Sequence, residues 1–196
     1  MNRRLAAFVL APVAAASLSG CGVNSIPTAE ENAKARWADV QNEYQRRADL
    51  VPNLVATVKG YAKQESSVLV GVTEARAKAT SIQVSADDLK DPSKLQQYGQ
   101  AQGQLSQALG RLLSVTENYP DLKSNTNFLA LQSQLEGTEN RITIARRDYN
   151  QSVQQYNTLI RTFPNSIGAK VFYGAKPMQT FEATAPNAQS APTVSF

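Results

Sequence analysis

Trp37-Ala38-Asp39-Val40-Gln41-Asn42-Glu43-Tyr44-Gln45-Arg46-Arg47-Ala48-Asp49-Leu50-Val51-Pro52-Asn53-Leu54-Val55-Ala56-Thr57-Val58 carries a seam in alternating steps of three and four. Its members are Trp37, Val40, Tyr44, Arg47, Val51, Leu54 and Val58. The same count runs on through Tyr61, Glu65, Val68, Val72, Ala75 and Ala79, and only Arg47 and Glu65 are charged. A helix with one buried face has this period, whereas a strand alternates every second residue. Read as one helix over residues 28–80, the segment is roughly 80 Å long at 1.5 Å per residue. Pro52 has no N–H to donate, yet the phase is kept on both sides of it, which predicts a bend and not an end. Thr28-Ala29-Glu30-Glu31 reads as a capping box that starts the helix.

Two further helices are predicted downstream. Residues 81–92 are polar and turn-forming, with Ser85 or Asp87 as candidate caps. The second helix then runs over about 92–118 on a seam of Leu95, Tyr98, Gln102, Leu105, Leu109, Leu112 and Thr116. The third is capped by Asn125 or Thr126 and has the seam Phe128, Leu131, Leu135, Thr138, Ile142, Ala145, Tyr149, Ser152, Tyr156, Leu159 and Phe163. Pro164 ends it. Long helices joined by short turns pack side by side and antiparallel. The expected fold is all-α: an elongated antiparallel bundle over residues 28–164, with an irregular tail over 165–196. The tail is expected to dock a short element near its start and to extend from Ala183 onward.

The N-terminus carries an address. Arg3 and Arg4 precede an apolar run from Leu5 to Leu18, about 14 residues, short of the roughly 20 that span a bilayer. Leu18, Ser19 and Gly20 then lead into Cys21, the chain's single cysteine. This arrangement resembles the lipobox of bacterial lipoproteins, in which the peptidase cuts before the cysteine and the thiol takes a diacylglycerol. Residues 1–20 are accordingly read as a lipoprotein signal peptide and 21–27 as a tether. Two or three acyl chains at Cys21 hold a protein firmly at a membrane. The expected site is the bacterial cell envelope, facing the periplasm or the exterior. Gly22, where enterobacterial inner-membrane sorting uses Asp, favours the outer membrane.

Composition excludes several chemistries. The chain has no histidine, so imidazole bases, Ser-His-Asp triads and His-ligated metals are out. One cysteine excludes an internal disulfide and a Cys-cluster metal site. The net charge is +4, and +2 once Arg3 and Arg4 leave with the leader, too little and too dispersed for nucleic acid. Neither a phosphate-binding loop, a dinucleotide fingerprint nor a nucleophile elbow is present. No cofactor is expected, and no enzyme activity.

Two clusters stand out within the bundle. Arg46, Arg47 and Asp49 precede Pro52, and Arg47 and Glu65 sit on the apolar seam. A charge there is paired or snorkels to solvent. Glu139, Asn140, Arg141 and Arg146 are its candidate partners, either as an interhelical network that fixes register or as a recognition patch. Tyr149-Asn150 and Tyr156-Asn157 repeat one heptad apart. The rings suit the bundle interior with each hydroxyl reaching a neighbour, while Asn150 and Asn157 share one helix edge. That edge is either structural or a partner-binding ridge.

Two stretches carry a resemblance. The first is Asn42 to Val55, continuing through Val58-Lys59-Gly60-Tyr61. The second is Leu131 to Ile142, then Ala145-Arg146-Arg147-Asp148-Tyr149-Asn150, Tyr156-Asn157 and Phe163-Pro164. Both are similar to the LemA family, as are the Phe181 region and the closing Pro192-Thr193-Val194-Ser195-Phe196. The resemblance implies a membrane-attached helical bundle facing out of the cytoplasm. Family members typically carry an N-terminal transmembrane helix, and this sequence departs by showing a lipoprotein-type leader. Three roles are compatible with these features: an interaction scaffold for other envelope proteins, a self-assembling structural bundle, and a small-molecule or lipid-binding module with a cleft near Pro52.

Overall fold

The computed structural model describes residues 24–182. The elements are α1 (Ser25–Tyr61), α2 (Ser66–Ser81), a 3-10 turn (Asp87–Lys90), α3 (Pro92–Thr116), α4 (Pro120–Lys123), α5 (Thr126–Leu159) and α6 (Asn165–Val171). No strand occurs among the described residues. The lipobox residues Leu18, Ser19, Gly20 and Cys21, the leader and the C-terminal Pro192–Phe196 motif lie outside them.

The expected all-α bundle is what forms, but from four long helices and not three. The helix expected over 28–80 stops at Tyr61, and the chain reverses across residues 62–65 into α2. Arg76 of α2 reaches back to Ala48 of α1, and Trp37 of α1 reaches Val84 just beyond α2, so the two helices run antiparallel. A hydrophobic seam records which face is buried and is blind to the direction of travel. Val68, Val72, Ala75 and Ala79 therefore keep the phase of α1 although the chain has turned round. At the reversal the seam position itself shifts: Tyr61 is exposed and Ala62 is buried. Pro52 lies inside α1, which continues through it as expected.

Cross-helix pairs set the remaining directions. Arg47 with Gln102, and Glu65 with Tyr119, place α3 parallel to α1. Glu43 with Arg141, and Tyr61 with Asn125, place α5 antiparallel to α1. The topology is thus up-down-up-down around α1. The core falls into two clusters along the axis. One centres on Val51, Leu54, Val58, Leu105, Leu112 and Phe128, at the α1–α2 turn end. The other centres on Ile26, Trp37, Tyr44, Tyr98, Tyr149 and Tyr156. α2 has only 16 residues against 37 in α1, so it covers only part of α1. Beyond its end the core is closed by irregular chain: the 82–91 connection and residues 175–181.

The caps differ in detail from expectation. α1 begins at Ser25, and Thr28 lies inside it, its hydroxyl donating to Asn24 O at 2.9 Å. Ser85 and Asp87 do not cap α3. Asp91 does, accepting from Ser93 N at 2.8 Å, with Pro92 as the first helical residue, where a missing N–H costs nothing. Asn125 caps α5 as expected, accepting from Phe128 N at 3.0 Å. α5 ends at Leu159, four residues short of Phe163, which is exposed and not part of the seam.

Candidate functional site

The Arg47 cluster joins three helices. The Arg47 side chain is 1% exposed. Its Nη1 donates to Ser106 Oγ at 2.7 Å and to Glu139 Oε1 at 2.9 Å. Its Nη2 donates to the Gln102 carbonyl at 3.0 Å and to Gln102 Oε1 at 2.7 Å. The Gln102 amide then donates to Ala79 O at 3.2 Å, which brings in α2. The guanidinium also lies over the Tyr44 ring, 4.9 Å from its centroid. A buried guanidinium is tolerated only when its fork is matched by acceptors, and here four of them, from α3 and α5, surround it. Glu139 is 44% exposed, so the pair is anchored in the core on one side and wet on the other.

The other expected members of this cluster go elsewhere. Arg141 pairs with Glu43 at 3.1 Å and donates to Thr138. Arg146 stacks over the Phe181 ring at 4.8 Å. Arg46 and Asn140 are exposed, and Asp49 accepts from Gln45, within α1. Glu65 is far from Arg47, at the start of α2, where it accepts from Tyr119 Oη at 2.8 Å. Gln102 and Ser106 were not anticipated as partners. A readable signal existed for Gln102: it is a polar residue on the α3 seam, as Arg47 is on the α1 seam.

The second site is the edge of α5, which holds the extended segment 175–181. Asn157 donates to Met178 O at 2.8 Å and accepts from Met178 N at 2.9 Å. Asn150 makes the same exchange with Phe181, at 3.0 and 2.7 Å. Each amide side chain thereby serves as the backbone of a neighbouring strand. Tyr156 Oη donates to Lys176 O at 3.1 Å, and Tyr149 Oη to Gln179 O at 2.8 Å. The two spacings match. One heptad of helix rises about 10.5 Å. Three residues of extended chain cover about 10 Å. The Tyr-Asn repeat is therefore a ruler for the strap, each unit taking up three of its residues. Gln179 N also donates to Leu89 O at 2.9 Å, so the strap ties α5 to the 82–91 connection.

The strap delivers Phe181 into an aromatic cluster. Its ring lies 5.7 Å from Trp37 and 6.2 Å from both Tyr44 and Tyr98. Trp37 also tilts against Tyr149 at 5.2 Å, and its indole N–H donates to Val84 O at 3.3 Å. Burial pushes the Tyr44, Tyr98 and Tyr149 hydroxyls above the ordinary phenol value, Tyr98 and Tyr149 well above it. All three stay protonated at neutral pH, and of them Tyr149 Oη donates to the Gln179 carbonyl.

A groove of about 450 Å³ lies between α3 and the strap, lined by Pro92, Leu95, Gln96, Gln100, Phe181 and Glu182 among others. Pro52, near which a ligand cleft was expected, is exposed and does not line it, but a second groove of about 290 Å³ opens one turn further along α1, at Val55, Lys59 and Leu69. No group of three or more acidic or cysteine side chains able to hold a metal occurs among the described residues. No helix among them is long and apolar enough to cross a membrane.

Comparison with known proteins gives a consistent picture. The LemA family profile matches residues 36–196. The chain is 26% identical to magnetosome protein MamQ of Magnetospirillum gryphiswaldense over 176 residues, 82% of this chain and 65% of that protein. It is 26% identical to magnetosome protein MamQ 1 of Paramagnetospirillum magneticum over 157 residues, covering 72% and 58% of the two chains. It is 30% identical to protein LemA of Metamycoplasma hominis over 130 residues, covering 66% and 55%. The chain thus spans somewhat over half the length of these relatives. With the matched region running through both signature stretches, the Arg47 cluster and the strap, the chain belongs to the LemA family.

Proposed function

We propose that this protein is a lipid-anchored, non-enzymatic scaffold of the bacterial cell envelope, tethered through acyl chains on Cys21 and presenting its helical bundle to other envelope proteins. The observation that carries the reading is the way the polar groups are used. The buried charge and all four Tyr and Asn residues of the α5 repeat are engaged in holding helices and strap together. A module built this way is stiff and keeps its surface geometry, which suits docking. The lipobox spacing Leu18-Ser19-Gly20-Cys21 supports the anchor, and a relative named for an organelle fits a role within an assembly.

The test is crosslinking in cells followed by purification from detergent-solubilised membranes, beside a Cys21→Ser control. A reproducible envelope partner that disappears with Cys21→Ser supports the scaffold. Crosslinks only between copies of the chain overturn it in favour of a self-assembling structural bundle.

A further inference from the structure

One end of the bundle is apolar on its outside. Phe163, Ile167, Val171, Phe172 and Tyr173 are between 43% and 81% exposed, and all lie within residues 163–173. Gly168 and Ala169 of α6 are buried, so α6 packs by its small residues and turns its large ones outward. Ile167 and Val171 are four apart and share one helix face. Exposed large apolar residues concentrated in one short segment mark a contact surface. Tyr61, Val70, Leu129 and Ile144, the other large apolar residues exposed to this degree among the described residues, are scattered along α1, α2 and α5.

The position of this segment identifies what it meets. Ile26 of the first turn of α1, Ile160 just past α5 and Ala169 of α6 belong to one core cluster. The segment is therefore at the end where the chain enters the bundle at Asn24, three residues after Cys21. Arg161, Lys170 and Lys176, all exposed, flank it. Glu30 and Glu31, the acids in the first turns of α1, are already engaged by Lys34, and Glu30 also by Lys90. Aromatic and aliphatic tips with basic side chains beside them are what the headgroup–acyl boundary of an anionic bilayer accommodates.

We infer that residues 163–173 form a membrane-contact surface, dipping Phe163, Phe172 and their aliphatic neighbours into the bilayer on which the chain is anchored. The inference rests on the anchoring read at Cys21 for its orientation, and it adds a second, non-covalent attachment. A tether of a few residues alone lets a rod swing. Two attachments at one end make it stand at a fixed angle to the surface.

The experiment places an indole at the surface. Phe172→Trp is made in the full chain, purified from membranes and reconstituted into phosphatidylethanolamine–phosphatidylglycerol vesicles doped with brominated phosphatidylcholine. The parent supplies the baseline, because its only tryptophan, Trp37, is buried. Leu129→Trp, exposed near the start of α5 at the opposite end, is the control. The expected result is a blue shift and bromine quenching of the added emission for Phe172→Trp and neither for Leu129→Trp. Emission at Phe172→Trp that stays unquenched overturns the inference, as does crosslinking of that position to a protein with no quenching. Acylation of Cys21 is read separately by mass. An unmodified cysteine overturns the anchor alone, and vesicles added to the same chain still report the contact.

Discussion

Asn150 and Phe181, 31 residues apart, exchange two hydrogen bonds, amide to carbonyl at 3.0 Å and N–H to Oδ1 at 2.7 Å. The side-chain amide suits this exchange because it is a donor and an acceptor on one planar group, as a peptide is. Asn157 does the same for Met178. The strap is thus held by a ladder whose one rail is a helix.

Removing a rung should loosen the strap without unfolding the bundle. Asn150→Ala leaves the N–H and C=O of Phe181 without partners, at a cost of about 1–3 kcal/mol. Amide hydrogen exchange at Phe181 and Met178 should quicken far more than in α1. Asn150→Asp sharpens the test. At neutral pH its carboxylate faces the Phe181 carbonyl and cannot donate. Protonated, it regains the donor, so the folded state raises its pKa above the ordinary value near 3.9. Strap protection should therefore recover as pH falls toward that value and be lost as pH rises. Protection indifferent to pH in Asn150→Asp excludes the exchange as the source of strap stability.

Arg47 and Glu139 should be unequal partners. Arg47→Met strands the buried Gln102 Oε1, and a loss of about 1–3 kcal/mol is expected. Glu139→Gln keeps an acceptor at a half-exposed position that water can also serve, so its cost should be the smaller of the two. Urea denaturation of the two variants checks the order. Equal costs would mean that the ion pair, and not the acceptor cage, is what matters.

The tyrosines give the fold an alkaline limit. Tyr44, Tyr98 and Tyr149 all have folded pKa values raised by burial. A raised phenol pKa favours the neutral form when folded. Its contribution is complete below the unfolded value near 10 and is lost as pH climbs from there toward the folded value. Stability should fall above about pH 10 by roughly 1.4 kcal/mol per pH unit for each such tyrosine. Tyr149→Phe should make that slope shallower by one tyrosine. Between about pH 6 and 8 the chain has no histidine to titrate, so the curve should be flat. Denaturation midpoints across pH 7–12 provide the check.

How far these relationships were legible depends on their range. The α5 seam from Phe128 to Tyr156 and the heptad spacing of the Tyr-Asn pairs are periodic, and periodicity is local information. That Tyr149 and Tyr156 bury their rings and point their hydroxyls at backbone follows from the same count. What occupies the Asn150–Asn157 edge does not, because residues 175–181 are aperiodic and the match of three extended residues to one helical heptad appears only once both are placed. The reversal at residues 62–65 escaped for the opposite reason: the count survived it. Arg47 was recognisable as a charge needing partners, and Glu139 as one of them. Glu65 was grouped with it by seam alone, which carries no information about height along the bundle.

Pro52 and Arg76 offer the sharpest test of long-range compensation. Pro52 lies inside α1 and has no N–H to give to the carbonyl four residues back, that of Ala48. That oxygen is not left bare. Arg76 Nε, from α2, donates to Ala48 O at 2.7 Å. The proline thus opens an acceptor on α1, and α2 fills it, which makes a helix defect into a clasp between the two arms of the hairpin. In the parent, Arg76→Ala should cost about 1–2 kcal/mol, since it strands a partly buried carbonyl. In a Pro52→Ala background the helix N–H serves Ala48 O, and the same Arg76→Ala should cost far less. The cycle should therefore show a coupling of about 1 kcal/mol between residues 24 apart in sequence. Additive costs would mean that Arg76 stabilises α2 through its aliphatic stem, and that the freed carbonyl of Ala48 is irrelevant to how the hairpin closes.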